Sequence, residues 1–219
     1  MTETEARVIL EQAIAASHAD DAVLTLRGED EGSTRFANNS ITQSVSRTDV
    51  NLTIRAAYGN RVGMAQTNRL TAEGLSDAVS RAEEIARQSE PDTEYMPPVE
   101  PCGIPSVEAW DPSVASASPA DRAHVVRDVI ETIRTHDLTA AGSYATTSGF
   151  TAVLNSRGHF AYHRQTGAQL VCTALSPDSS GWASAGSHRR QDIDGHAAGE
   201  RAAQKAIVGR NPQPIEAKP

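Results

Sequence analysis

A polar–apolar alternation, followed at once by a helical stripe, constrains this chain more than any other feature. Val50, Leu52 and Ile54 alternate with Asn51, Thr53 and Arg55. An extended segment with that pattern has one face to bury and one to leave wet. The pair Gly59-Asn60 then separates the runs 49–58 and 61–67. A two-residue loop that opens on glycine suits a tight hairpin, because glycine accepts positive φ. Leu75, Ala78, Val79, Ala82, Ile85 and Ala86 follow at helical spacing, with Thr71 placed to cap the first turn. The segment therefore reads as antiparallel strands with a helix packed back on them.

The rest of the chain extends this pattern. Ala6, Ile9, Leu10, Ala13 and Ile14 mark a helix over 3–17. A short strand is expected over 22–27, a charged turn over 28–32 (GEDEG), and strands near 34–38 and 41–47. Residues 90–117 contain Pro91, Pro97, Pro98, Pro101, Pro105 and Pro112. Proline fixes φ and removes a donor, so this stretch reads as a connector. Tyr95, Val99, Ile104 and Trp110 are apolar enough to pin it as an ordered strap. Ser118-Pro119 supplies an N-cap and a first-turn proline, and Val126, Val129, Ile130 and Ile133 mark the buried face of the next helix. Strands are expected over 140–147, 151–155, 159–164, 168–175 and 182–188. A last helix over 193–208 carries Ala198, Ala202, Ala203, Ala206 and Ile207, with Gly209 as its C-cap.

The fold class expected is α+β, antiparallel sheets flanked by helices. The order helix, strands, helix occurs twice, as an internal pseudo-repeat. Asn38 and Asn155 sit at corresponding turns, and Gly63-Met64-Ala65 corresponds to Gly181-Trp182-Ala183. The organisation expected is an N-terminal α+β half over 1–89, a proline-rich connector over 90–117, a second α+β half over 118–209, and the start of a linker over 210–219.

Charge and composition exclude several classes. A net charge of −8 argues against a nucleic-acid footprint, which needs clustered Lys and Arg. Cys102 and Cys172 are too few for a disulfide framework and read as reduced thiols. The acidic N-terminus lacks the basic start and apolar run of a signal peptide, and no window resembles a membrane span. A soluble cytoplasmic protein is expected.

Few residues suggest chemistry. His159 and His163 share one face of a strand, but no neighbouring ligand completes a metal site. His196 and Glu200 share a helix face and read as a surface pair. Ser184 lies in G-W-A-S-A-G, which is not a nucleophile elbow. Cys102, in Pro-Cys-Gly with acidic neighbours, reads as inert. Asn38 and Asn39 suit turn chemistry, since asparagine tolerates left-handed backbone. Their functional alternative is contact with a partner subunit or a bound peptide, with Arg35 beside them.

Residues 35–68, RFANNSITQSVSRTDVNLTIRAAYGNRVGMAQTN, resemble the N-terminal signature of the TldD/PmbA family, also called modulators of DNA gyrase. The R-F-A-N-N-S-I entry, the G-N-R-V-G-M-A hairpin and the T-N-x-L-T-x-E-G-L helix start carry the resemblance, which is closer to the PmbA (TldE) branch. It implies an N-terminal region joined to a β-rich metallopeptidase-like domain. Catalytic members carry an H-E-x-x-x-H zinc motif there. None of the seven histidines here precedes a glutamate, so no catalytic or metal residue carries over. The resemblance implies a non-catalytic region, or an inactive partner subunit, that helps form a chamber and aligns unfolded peptide. Zinc is then expected in the full-length or partner catalytic domain. A homo- or heterodimer with a family subunit and a peptide substrate are the expected partners, with no nucleic acid and no membrane. The alternative is a stand-alone peptide- or protein-binding scaffold.

Overall fold

The structure, a computed structural model, describes residues 1–213. The linker reading of the tail lies outside the described residues from 214 onward. The elements run α1 (Glu3–Ala15), β1 (Asp21–Ala37), β2 (Ser40–Tyr58), β3 (Arg61–Thr67), α2 (Ala72–Gln88), α3 (Pro112–Ala115), α4 (Pro119–Arg134), β4 (Thr139–Asn155), β5 (Phe160–Leu175), β6 (Ser180–Ser187) and α5 (Gly195–Val208). The strands form one six-stranded sheet in the order β3-β2-β1-β4-β5-β6. The end of β1 meets the start of β4, where Asn39 N donates to Ala140 O, and the start of β1 meets the end of β4, where Ser156 N donates to Ala22 O. The two central strands are therefore antiparallel. The class is α+β, an antiparallel sheet flanked by helices.

Local signals set the ends of the helices. Thr71 Oγ1 accepts from Gly74 N, and Ser118 and Asp121 form a reciprocal capping box with proline in the first turn. At the β2–β3 hairpin Tyr58 pairs with Arg61, and Gly59 between them has φ +58°, as the two-residue turn requires.

The strands are longer than the sequence patterns suggest. Residues 28–32 are not a turn, because β1 runs straight through them. Gly28 leaves room for the Phe150 ring and Gly32 for the Arg122 guanidinium, which a Cβ at either position would strike. These glycines serve close packing rather than a reversal. The pairs of short strands expected over 41–47 and 49–58, 140–147 and 151–155, and 159–164 and 168–175 are likewise the single strands β2, β4 and β5.

The chain forms two compact units, each assembled from separated segments. The first comprises 1–29, 48–108 and 149–164. Its core joins Leu10 of α1, Leu24 and Leu26 of β1, Leu52 and Ile54 of β2, and Leu75 and Val79 of α2. Buried Glu83 of α2 ties these elements together. Its Oε1 accepts from Ser17 Oγ at 2.9 Å and His18 N at 2.6 Å, and its Oε2 accepts from Tyr58 OH at 2.8 Å and Arg87 at 3.1 Å. The proline-rich stretch is held here by polar contacts. Tyr95 OH donates to Asp21 at 2.7 Å, Asn155 Nδ2 donates to Val99 O at 2.8 Å, and Arg157 bonds Glu100 at 2.7 Å. Val99 and Ile104 are exposed, so they do not pin it as expected.

The second unit comprises 30–47, 109–148 and 165–219, of which residues to 213 are described. Val126, Val129 and Ile133 of α4 pack with Tyr144, Leu170 and Ala202. Gly195 and Gly199 let α5 approach α4 closely, against Val125 O and Thr132. Asp111 Oδ1 accepts from Ser113 N and caps α3, a helix of one turn that the proline pattern concealed.

The pseudo-repeat is visible in packing. Gly63 of β3 sits under α2, where a Cβ would lie 2.1 Å from Ala82 O and 2.3 Å from Ala86 N. Gly181 of β6 sits under α5, where it would lie 2.0 Å from Ala202 O and 2.6 Å from Ala206 N. Gly63 pairs with Ala56 and Gly181 with Ala174. Each helix thus crosses its edge strand through the same Gly-under-Ala-x-x-x-Ala contact.

Candidate functional site

The residues singled out by sequence lie at one end of β1. Asn38 and Asn39 form the two-residue β1–β2 turn, with φ of 51° and 59°. Both are left-handed, a conformation that asparagine accepts more readily than most residues. Asn39 is also bound at both ends. Its N donates to Ala140 O at 3.2 Å, and its Oδ1 accepts from Ala140 N at 2.7 Å. Asn38 and Arg35 are not committed in this way. Arg35 is exposed on β1, and its carbonyl accepts from Thr42 Oγ1 at 3.3 Å. Turn geometry therefore brings the three residues together.

Beside them runs a stretch of sheet edge that is left open among the described residues. β3 pairs with β2 from Leu52 to Tyr58, and residues 40–46 of β2 lie beyond it, exposed throughout, including Ile41 and Val45. The opposite edge is covered differently. Lys205 Nζ donates to Trp182 O at 2.7 Å and Arg201 donates to Ser184 O at 3.4 Å. Two cations from α5 thus occupy outward carbonyls of β6, which blocks strand addition there.

The second unit also has a groove of about 380 Å³ that no motif announced. Glu31, Thr147, Gly167, Gln169, Gly186 and His188 line it. It crosses β1, β4, β5 and β6, on the sheet side opposite the buried Tyr144 and Leu170. The end at His188 is tied down. Thr166 Oγ1 donates to His188 O at 2.8 Å, and Arg190 N donates to Asp111 Oδ2 at 2.9 Å. Arg190 also bonds Asp121 at 2.8 Å. The Ser118 hydrogen bonds, then Arg190, hold the Asp121 carboxyl well below the usual range. The signal that could have located this groove is glycine inside strand patterns, which marks close approach or open space.

The other candidates separate. His196 Nδ1 lies 2.9 Å from Thr132 Oγ1, while Glu200 bonds His136 Nε2 at 2.9 Å. Thr132 is on α4 and His136 lies in the turn just after it, so the helix-face pair ties α5 to the C-terminal end of α4. His159 Nδ1 accepts from Cys102 N at 3.3 Å, with the exposed Cys102 thiol 4.0 Å away. Cys172 is buried, and burial pushes its thiol pKa up. Among the described residues, no three or more His, Cys, Asp or Glu side chains lie together as a metal would require, so these residues do not fit a zinc centre. No helix among them is long and apolar enough to cross a membrane.

Comparison with known proteins places this architecture. The family model described as PmbA/TldA metallopeptidase domain 1 matches residues 25–86, and the PmbA/TldA metallopeptidase central domain matches 112–210. Together they cover most of the chain, and the chain belongs to the PmbA/TldD family. Among solved structures, a protein described as a modulator of DNA gyrase from Thermotoga maritima superposes with a TM-score of 0.81 at 17% identity, covering 92% of this chain and 47% of that one. TldE from Thermococcus kodakarensis gives 0.78 at 18%, covering 94% and 47%. A second protein described as a modulator of DNA gyrase, from Bacteroides thetaiotaomicron, gives 0.81 at 18%, covering 94% and 49%. At these identities the likeness is one of fold. The chain spans about half the length of these proteins. No curated protein matches it.

Proposed function

We propose that this chain is the non-catalytic N-terminal region of a TldD/PmbA-type metallopeptidase, or of its inactive TldE-like partner subunit, working in the cytoplasm. It forms part of a chamber wall and aligns unfolded peptide for zinc-dependent proteolysis. The zinc belongs to a full-length or partner catalytic domain, in a homo- or heterodimer of family subunits. The observation that carries this reading is the open edge of β2 over 40–46. An extended peptide can add to such an edge through its main chain, while pockets select side chains. Asn38, in the turn that begins that edge, and Arg35, exposed on the adjoining β1, are the contacts we assign to peptide or partner. Asn39 supports them by fixing the turn.

The test is the intact mass and peptide map of the native gene product, together with the proteins that co-purify with it. An H-E-x-x-x-H sequence in the product, or in a co-purifying family subunit, supports the peptidase reading. Its absence from both favours a stand-alone binding scaffold.

A further inference from the structure

We propose that the groove on the second unit takes the side chain of a lysine or arginine from an extended peptide, an inference that rests on the peptide-aligning function above. The groove measures about 380 Å³, within the range of small-ligand sites. Gly167 and Gly186 leave its floor bare, and no aliphatic side chain larger than alanine lines it. A bulky apolar group would therefore find little apolar surface to bury against. A thin methylene stem fits such a floor and leaves its charged head for a polar partner. Glu31 supplies that partner on β1.

The Glu31 carboxylate already accepts a cation. Arg47 NH2 lies 3.5 Å from its Oε2, and both side chains are substantially exposed. Exposed pairs of this kind are weak, so an incoming cation can displace Arg47 or share the carboxylate. His188 stands at the far end of the groove. The net charge of −8 adds a general attraction for basic peptides.

Gly186 allows a clean block. A Cβ there would meet nothing nearer than Ala168 O at 4.0 Å, so a larger side chain would enter open space rather than strain the sheet. The experiment titrates the full-length native product with dye-labelled decapeptides that differ only at one central residue, lysine, norleucine or glutamate. Fluorescence anisotropy is read at fixed ionic strength. The lysine peptide should bind at least about fivefold more tightly than the norleucine peptide, and the glutamate peptide most weakly. Glu31→Gln should erase the lysine-over-norleucine preference. Gly186→Leu should weaken the lysine peptide by about tenfold with an unchanged thermal midpoint. Equal affinities for lysine and norleucine, or a preference that survives both substitutions, overturns the groove assignment and leaves peptide alignment standing. Failure of every peptide to bind overturns both.

Discussion

Asn39 and Ala140, separated by 101 residues in sequence, exchange two hydrogen bonds: Asn39 N to Ala140 O at 3.2 Å and Ala140 N to Asn39 Oδ1 at 2.7 Å. The side-chain oxygen imitates a ladder carbonyl and fixes the β1–β2 turn to the first residues of β4. Asn39→Ala removes that acceptor and places a poorly suited residue at φ 59°. It should cost about 2–3 kcal/mol in urea unfolding. Asn39→Gly keeps the conformation and loses only the bond, so it should cost about 1 kcal/mol. Equal losses for the two would show that the left-handed backbone contributes nothing.

The two edge-strand glycines should respond alike. Gly63→Ala and Gly181→Ala each set a Cβ about 2 Å from a helix carbonyl, at Ala82 and Ala202. Backbone on both sides leaves little room to relax, so each should destabilise by about 2–3 kcal/mol. Gly103→Ala, with nothing within 4 Å, should be close to neutral. Thermal unfolding of the three variants separates these outcomes.

Glu83 should make the first unit acid-sensitive. Burial alone would raise its pKa, but hydrogen bonds from His18 N, Tyr58 and Ser17, together with the Arg87 charge, outweigh it and hold the carboxyl below 4.5, its ordinary value. Because the folded-state value is the lower one, its stabilisation is complete well above pH 4.5. It declines below that and is gone once pH falls through the folded value. Glu83→Ala should cost about 3 kcal/mol at pH 7, since it removes the buried acceptor shared by Ser17, His18, Tyr58 and Arg87. The gap from wild type should narrow steadily in denaturation series from pH 5 downward. A gap that stays constant with pH would show that the ionised Glu83 carboxylate is not what stabilises this unit.

Freeing the β6 edge should promote self-association. Lys205→Ala with Arg201→Ala exposes the carbonyls of Trp182 and Ser184 beside the half-exposed Trp182 ring. Sedimentation at rising concentration should show new oligomers in the double variant and none of these in wild type at matched concentrations.

Much of this fold is legible in local chemistry. Thr71, Ser118 and Gly59-Asn60 announce their caps and hairpin because each signal acts within four residues. The length of the strands is not legible. Gly28, Gly32 and Gly149 punctuate the pattern like turns, yet their reason lies elsewhere in the chain. Gly28 is needed by Phe150, and Gly32 by Arg122. The β1–β2 turn at Asn38 and Asn39 could be found from residue type, whereas the acceptor role of Asn39 depends on where β4 lies. The groove was hidden for the same reason. Glu31, Thr147, Gly167 and Gly186 share no motif, and only the order of strands in the sheet assembles them.

The most direct measurement is cleavage of an unfolded peptide by this chain alone, and again after addition of a family subunit carrying H-E-x-x-x-H, each with and without a metal chelator. The chain alone should bind peptide without cutting it. Chelator-sensitive cleavage should appear only with the zinc-bearing subunit or domain. Chelator-sensitive cleavage by the isolated chain, free of contaminating proteases, would contradict the assignment of this region as non-catalytic.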